Sequence, residues 1–166
     1  DLKNYKPVER DAIFFEYRDY KVYTMPPPSS GGVALAQILN QLENINLDSI
    51  SFHSSKHLHY LAEIEKRVYA DRAYYMGDPD FNDIPIDKLI SDKYLINRFN
   101  SIKVNQATSS QEIRHGILDG KEKNKYGYID PFNGDINKIK AFQKQASLVV
   151  DGIWGPRTQK AWEAFS

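Results

Sequence analysis

The chain contains no cysteine and only 2 methionines among its 166 residues. Without thiols there is no disulfide, no cysteine nucleophile and no thiolate-ligated zinc, although many envelope proteins avoid the residue, so its lack says little about compartment. Neither charge is in excess: 22 Lys+Arg meet 22 Asp+Glu, for a formal net charge of zero and a pI near 7.1, which argues against a basic nucleic-acid module. Long apolar runs are missing too. The longest, such as Ala12 to Phe15, stop after a few residues, far short of the roughly 20 that a membrane helix needs. An opening Asp1, with neither Met nor a leader, reads as a processed or excised chain. What the chain does have is bulk, since its 13% of aromatic residues can close a small core despite an overall hydrophobic share of 41%. One or two small globular domains follow.

Residues 12–17 and 20–25 are β-branched and aromatic runs separated only by Arg18-Asp19, the pattern of a β-hairpin. Pro26, Pro27 and Pro28 stop the second strand, and Ser29 or Ser30 then caps a helix of about 33–44 with Val33, Leu35, Ile38, Leu39 and Leu42 as its apolar residues. Ser54 or Ser55 caps a longer helix in which Leu58, Leu61, Ala62, Val68, Tyr69, Ala73 and Met76 recur until Gly77-Asp78-Pro79 ends it. Its other face is charged, and the Glu63–Arg67 spacing predicts helical ion pairing on a solvated face with no buried cluster. A third helix is predicted over 87–99, with Leu89, Ile90, Tyr94, Ile96 and Phe99 inward and Pro85 just ahead of it. From 106 to 129 the chain is polar and glycine-punctuated with a lysine-rich end, so this stretch is expected as a linker, the most mobile part of the chain. Beyond it Ile136, Ile139 and Phe142 predict one short helix, Asp151-Gly152 a turn, and Thr158 to Phe165 another helix. The domains expected are therefore 1–105, the linker 106–129, and 130–166.

Three features invite chemistry, and each has a plainer reading. Pro26-Pro-Pro-Ser-Ser-Gly-Gly32 could present free backbone amides to an anion at a helix start, but its serines fit neither a Gly-x-Ser-x-Gly elbow nor a Ser-x-x-Lys pair, so a tight strand-to-helix joint is preferred. His53, His57 and His59 suggest a metal, yet in a helix His57 and His59 point about 200° apart and His53 precedes the cap, so they read as surface histidines. Asp78, Asp80 and Asp83 lack the central glycine and terminal glutamate of a calcium loop and read as a turn. No catalytic residue, metal site or cofactor is assigned.

Two longer patterns are more specific. Pro26-Pro-Pro-Ser-Ser-Gly-Gly32 with its Gln-Ile-Leu-Asn helix, Tyr69-Ala-Asp-Arg-Ala-Tyr-Tyr-Met-Gly-Asp-Pro-Asp-Phe81, Ile86-Asp-Lys-Leu-Ile90 and Ser109-Ser-Gln-Glu-Ile-Arg114 occur in order, and over about 1–118 the chain resembles the C-terminal part of the γ-glutamyltranspeptidase large subunit. The resemblance implies part of an N-terminal-nucleophile hydrolase of the αββα type, acting as γ-glutamyltransferase or glutathione hydrolase. In that family the precursor cleaves itself, and a new small-subunit Thr attacks the γ-glutamyl carbonyl with its own α-amino group as base. A Thr-Thr-His-Tyr type sequence should follow the Ser109–Gly116 stretch. Here Lys125-Tyr-Gly-Tyr-Ile-Asp130 stands instead, and His115 replaces an expected proline. The small-subunit oxyanion donors and the substrate-clamping arginine of the large subunit are absent as well.

The segment 139–165, with Val150-Asp-Gly-Ile-Trp-Gly-Pro-Arg-Thr158 at its centre, resembles a small helical peptidoglycan-binding domain. Asp151-Gly152 makes a tight turn, Gly155-Pro156 opens a helix, Thr158 can bond backbone, and Ile139, Phe142, Leu148, Ile153, Ala161 and Phe165 are expected as a miniature core. Ser147 stands where that family usually has a helix-ending glycine. The resemblance implies a peptidoglycan-binding site of Asp151, Trp154, Arg157 and Trp162, in which a tryptophan offers an apolar face and Arg157 its donors to a carboxylate, while core packing is the plainer role for each tryptophan.

The fold class expected is α+β and mostly helical: a β-hairpin plus three helices, then a small helical module. The leading functional reading is a non-catalytic fragment of a γ-glutamyltranspeptidase-like protein carrying a wall-binding module, associated with the cell wall in a bacterial periplasm or secreted outside the cell. Under one alternative a separate Thr-initiated chain completes an active transferase or hydrolase. Under another the chain is a fusion product in which neither part keeps its ancestral role.

Overall fold

The computed structural model describes residues 2–118, 131–132 and 136–165. The hairpin forms from β1 (Ile13–Tyr17) and β2 (Tyr20–Thr24), which pair antiparallel with Phe15 opposite Val22 and Tyr17 opposite Tyr20. Period-2 alternation sorts its faces. Ile13 and Phe15 are buried, whereas Phe14 meets Tyr23 on the outer side with ring centroids 5.1 Å apart. Arg18 turns the corner in the left-handed region (φ 51°), and its amide donates to the Glu43 carboxylate at 2.6 Å.

Helix α1 (Gly31–Leu42) begins ahead of the expected start near 33. Gly32 sits so close to the end of β2 that a Cβ there would collide with the Met25 carbonyl oxygen and lie 2.9 Å from Thr24 Cγ2. The helix can therefore start directly on the strand only because that residue is glycine. Its buried face includes Val33 and Ala36 but also Gln37 and Gln41, each 1% exposed, whereas Leu35 is 40% exposed. Helix α2 (Ser55–Tyr75) has the predicted cap: Ser54 Oγ accepts the His57 amide at 3.2 Å. The predicted 87–99 helix is two helices, α3 (Ile86–Leu89) and α4 (Asp92–Asn100). Ser91 is extended between them (ψ 144°), and its hydroxyl donates back to the Lys88 carbonyl at 2.8 Å, closing α3. That break rotates α4, so that Tyr94, Leu95 and Arg98 are buried and Ile96 is exposed.

Helix α1 packs on β1, α2, α3 and α4, and the apolar centre they enclose contains Ile13, Val33, Tyr75, Leu89, Leu95 and Leu118. Leu118 belongs to the stretch expected as linker. Its described part, 106–118, is held against α2 and α4, whereas 119–130 lies outside the described residues.

The C-terminal module has helices α5 (Ile136–Gln145) and α6 (Pro156–Phe165). Proline opens α6, where its missing N–H costs nothing. Its core consists of Ile139, Phe142 and Trp154 with Phe132, Ala146, Ala161 and Trp162 against them. Ile153, expected inside, is 47% exposed, because its carbonyl rather than its side chain faces the interior bonds of the loop. The Phe165 side chain lies outside the described residues.

Candidate functional site

Two sites stand out, and the first is a ladder of polar residues on one face of α2. Glu63, Arg67, Asp71 and Tyr75 recur at intervals of four and so share a face. Each is buried, at 1, 3, 3 and 3% exposure, which corrects the solvated reading of this face. Burial is tolerated because every rung is paired. Arg67 Nη1 donates to Glu63 Oε2 at 2.8 Å, while its Nε and Nη2 reach the Ser101 hydroxyl and carbonyl at 2.6 and 2.7 Å. Asp71 receives Arg98 Nη2 at 2.9 Å and Gln37 Nε2 at 3.3 Å.

The ladder grips the chain that follows α4 at two places. Glu63 Oε1 accepts the Thr108 amide at 3.0 Å, and Lys66 Nζ donates to the Thr108 carbonyl at 3.0 Å. Eight residues on, Asp71 Oδ1 accepts the Gly116 amide at 2.7 Å and the Tyr75 hydroxyl donates to the Gly116 carbonyl at 2.7 Å. A side chain at Gly116 would strike the Tyr94 hydroxyl and lie 2.6 Å from Arg98 Cδ, so only glycine fits. His115, in the position of the expected proline, stacks on Tyr74 with centroids 3.6 Å apart. Burial alone would raise the Glu63 carboxyl, but the donors from Lys66, Arg67 and Thr108 outweigh it and hold it at about 2. Burial pushes the Asp71 carboxyl up, against the pull of Arg98 and the Gly116 amide. Between its two grips the segment bows away from α2, leaving an open groove of about 520 Å³ lined by residues including Ala62, Lys66, Tyr69, Ser110 and Ile113.

The second site is the loop between α5 and α6, and its organiser is Gln143, 1% exposed. Its Oε1 accepts the Gly152 amide at 2.9 Å, and its Nε2 faces Asp151 Oδ1, the Ile153 carbonyl and Thr158 Oγ1 at 2.7, 3.0 and 3.0 Å. Asp151 Oδ1 also accepts the Ile153 amide at 2.8 Å, the bond that most lowers this carboxyl. Of the four residues expected to form a binding site, Asp151 thus closes the turn. Trp154 is 2% exposed and donates its Nε1–H to Gln159 Oε1 at 2.8 Å. Trp162 is half-buried against Phe132, Phe142 and Trp154, and Arg157 is exposed. Gln143 carries no motif of its own. The ladder, by contrast, could have been found from the repeat of charged residues at 63, 67 and 71 leading to Tyr75.

The three threonines are Thr24 at the end of β2, Thr108 at the first grip and Thr158 in the module, all inside the chain. The nitrogen of each is a main-chain amide, which becomes an α-amino base only where the peptide bond ahead of it is cleaved. Among the described residues no group of three or more His, Asp or Glu is placed to hold a metal, and no helix is long and apolar enough to cross a membrane.

The hairpin, the α1–α4 body and the clamped segment reproduce part of an N-terminal-nucleophile hydrolase: the crystal structure of Helicobacter pylori gamma-glutamyltranspeptidase matches 69% of this chain and 33% of its own, with TM-score 0.67 and 43% identity. The gamma-glutamyltranspeptidase family model matches residues 1–131, and the chain belongs to that family. A peptidoglycan binding domain model matches residues 136–161. The Escherichia coli glutathione hydrolase proenzyme is 43% identical over 139 residues, 84% of this chain and 24% of its own length. The acylase ACY 1 proenzyme of a Pseudomonas strain is 41% identical over 109 residues, 66% of this chain and 20% of its own length. The chain thus spans about a quarter or less of these curated relatives.

Proposed function

We propose that the chain is a non-catalytic, wall-binding member of its family, in which the α1–α4 body is large-subunit framework and the α5–α6 module attaches it to peptidoglycan in the bacterial periplasm or outside the cell. One observation carries this reading. A peptidoglycan-binding pattern follows a body whose clamped segment leads into Lys125-Tyr-Gly-Tyr-Ile-Asp130 where a Thr-Thr-His-Tyr sequence would supply the nucleophile. Within the module Arg157 and Trp162 are the ligand-facing residues, while Asp151 and Trp154 hold the loop ahead of the helix that carries them. The test has two arms on one preparation of verified mass: no chromophore release from a γ-glutamyl anilide above background, and co-sedimentation with purified sacculi. Turnover by the single chain sinks the non-catalytic reading, and failure to sediment sinks the wall-binding one.

A second reading is favoured by the hairpin, whose outer face exposes Tyr23 (69%) and Phe14 (44%) and whose strands pair only with each other among the described residues. Here a Thr-initiated small subunit covers that face and completes a γ-glutamyl transferase or hydrolase. Activity that appears only when such a subunit is added selects this reading.

A further inference from the structure

Three branched aliphatic side chains of the α5–α6 loop stand in solvent: Val149 is 72% exposed, Val150 46% and Ile153 47%. They are not overflow from an ill-filled core. The rings of Phe132, Phe142, Trp154 and Trp162 already close on one another at centroid distances from 5.2 to 6.4 Å. Nor is their display loose: Gln143 and Asp151 pin the backbone of 151–153, and the Leu148 amide bonds the Gln143 carbonyl at 2.9 Å, so Val149 and Val150 lie between two anchored points. A rigid apolar rim loses little ordering entropy on binding.

Charge on the helices that flank this loop is one-sided. Residues 131–166 hold five basic (Lys138, Lys140, Lys144, Arg157, Lys160) and three acidic residues (Asp135, Asp151, Glu163), a net +2 on a chain that is neutral overall. Two of the acids are engaged internally: Asp151 in the turn and Glu163 by Gln159 Nε2 at 2.8 Å. Arg157 is exposed and makes no ion pair among the described residues. Of the two tryptophan faces on which a sugar could stack, that of Trp154 is turned inward, at 2% exposure, and that of Trp162 is half-covered by its neighbouring rings.

Resting on the wall-binding reading, we propose that the rim of Val149, Val150 and Ile153 with Arg157 takes the peptide of peptidoglycan and not its glycan. Alanine methyls of a stem peptide lie against the aliphatic rim, and its terminal carboxylate accepts N–H donors from the Arg157 guanidinium.

The test offers the full chain intact sacculi and glycan strands stripped of peptide, with a stem pentapeptide and its C-terminal amide as competitors. Retention on intact sacculi should exceed that on stripped glycan at least about tenfold, and the free-acid pentapeptide should compete about tenfold better than the amide. Arg157→Gln and Ile153→Ser should each lower retention several-fold with the far-ultraviolet circular dichroism and tryptophan emission unchanged. Should Ile153→Ser disturb the fold, Val149→Ser, the most exposed of the three, carries the same expectation. Equal retention on stripped glycan overturns peptide recognition and leaves wall binding standing, whereas equal competition by the amide overturns the carboxylate contact assigned to Arg157. No retention on any of these supports overturns wall binding itself.

Discussion

Ser147 ends α5 in the left-handed region, at φ 56°, with its amide bonded to the Lys144 carbonyl and the Leu148 amide to the Gln143 carbonyl. That is a Schellman cap built on a residue with a Cβ, so Ser147→Gly should stabilise the module by about 0.5–1 kcal/mol, read from the denaturation midpoint of tryptophan emission. Glu63 predicts a pH dependence. Its carboxyl lies at about 2 in the fold against an ordinary 4.5. Its contribution is therefore fully present above about 4.5 and fades as pH falls toward 2, by up to about 3 kcal/mol. Stability measured across that window should fall less steeply in Glu63→Gln than in the parent. Removing single partners separates buried from surface charge. Asp71→Ala leaves Arg98 without its carboxylate in the interior and should cost about 3–5 kcal/mol, whereas Lys66→Ala, whose side chain is 29% exposed, should cost under about 1 kcal/mol.

The joint between β2 and α1 makes a sharper test because two adjacent glycines differ. Gly32→Ala drives a methyl into the Met25 carbonyl and should destabilise by about 1–3 kcal/mol. Gly31→Ala meets nothing nearer than Ser29 Oγ at 3.5 Å and should stabilise by up to about 1 kcal/mol through helix propensity. Thermal melts of the two variants should move in opposite directions. Elements defined by local chemistry were legible in the sequence: the hairpin from its alternation and two-residue turn, the start of α2 from Ser54, the helix-ending role of position 147 from its place in the motif. The split at Ser91 was not, since apolar spacing runs on across the break, and what ends α3 is a hydroxyl turned back onto Lys88. The ladder was missed because charged side chains default to solvent, and the partners that make their burial tolerable lie up to 45 residues away along the chain. Gln143 escaped for the same reason at shorter range, with partners 8 to 15 residues on.

At the scale of the molecule the two family patterns are optically separable. Both tryptophans, Trp154 and Trp162, stand in the α5–α6 module, and all 11 tyrosines precede it. Selective tryptophan excitation therefore follows the module while backbone circular dichroism follows the whole chain. With a core of four rings and a few aliphatic residues, the module should unfold at the lower denaturant concentration and with the shallower slope. Coincident transitions would show that the two parts unfold as one. The two grips of the α2 ladder carry a further consequence, for length. Thr108 and Gly116 are anchored to Glu63 and Asp71, eight residues apart on a helix and so about 12 Å apart along its axis. The eight residues of chain between those anchors could stretch to roughly 26 Å. The surplus is the bow over the groove at Ser110 and Ile113, so this stretch can change length while both ends stay put. Inserting Gly-Ser after Ser110 should leave the Gly116 amide as protected from hydrogen exchange as in the parent, since lengthening so short a loop costs well under about 1 kcal/mol. Relatives that differ by insertions or deletions between these anchors can then still deliver the chain beyond Gly116 from the same point in space.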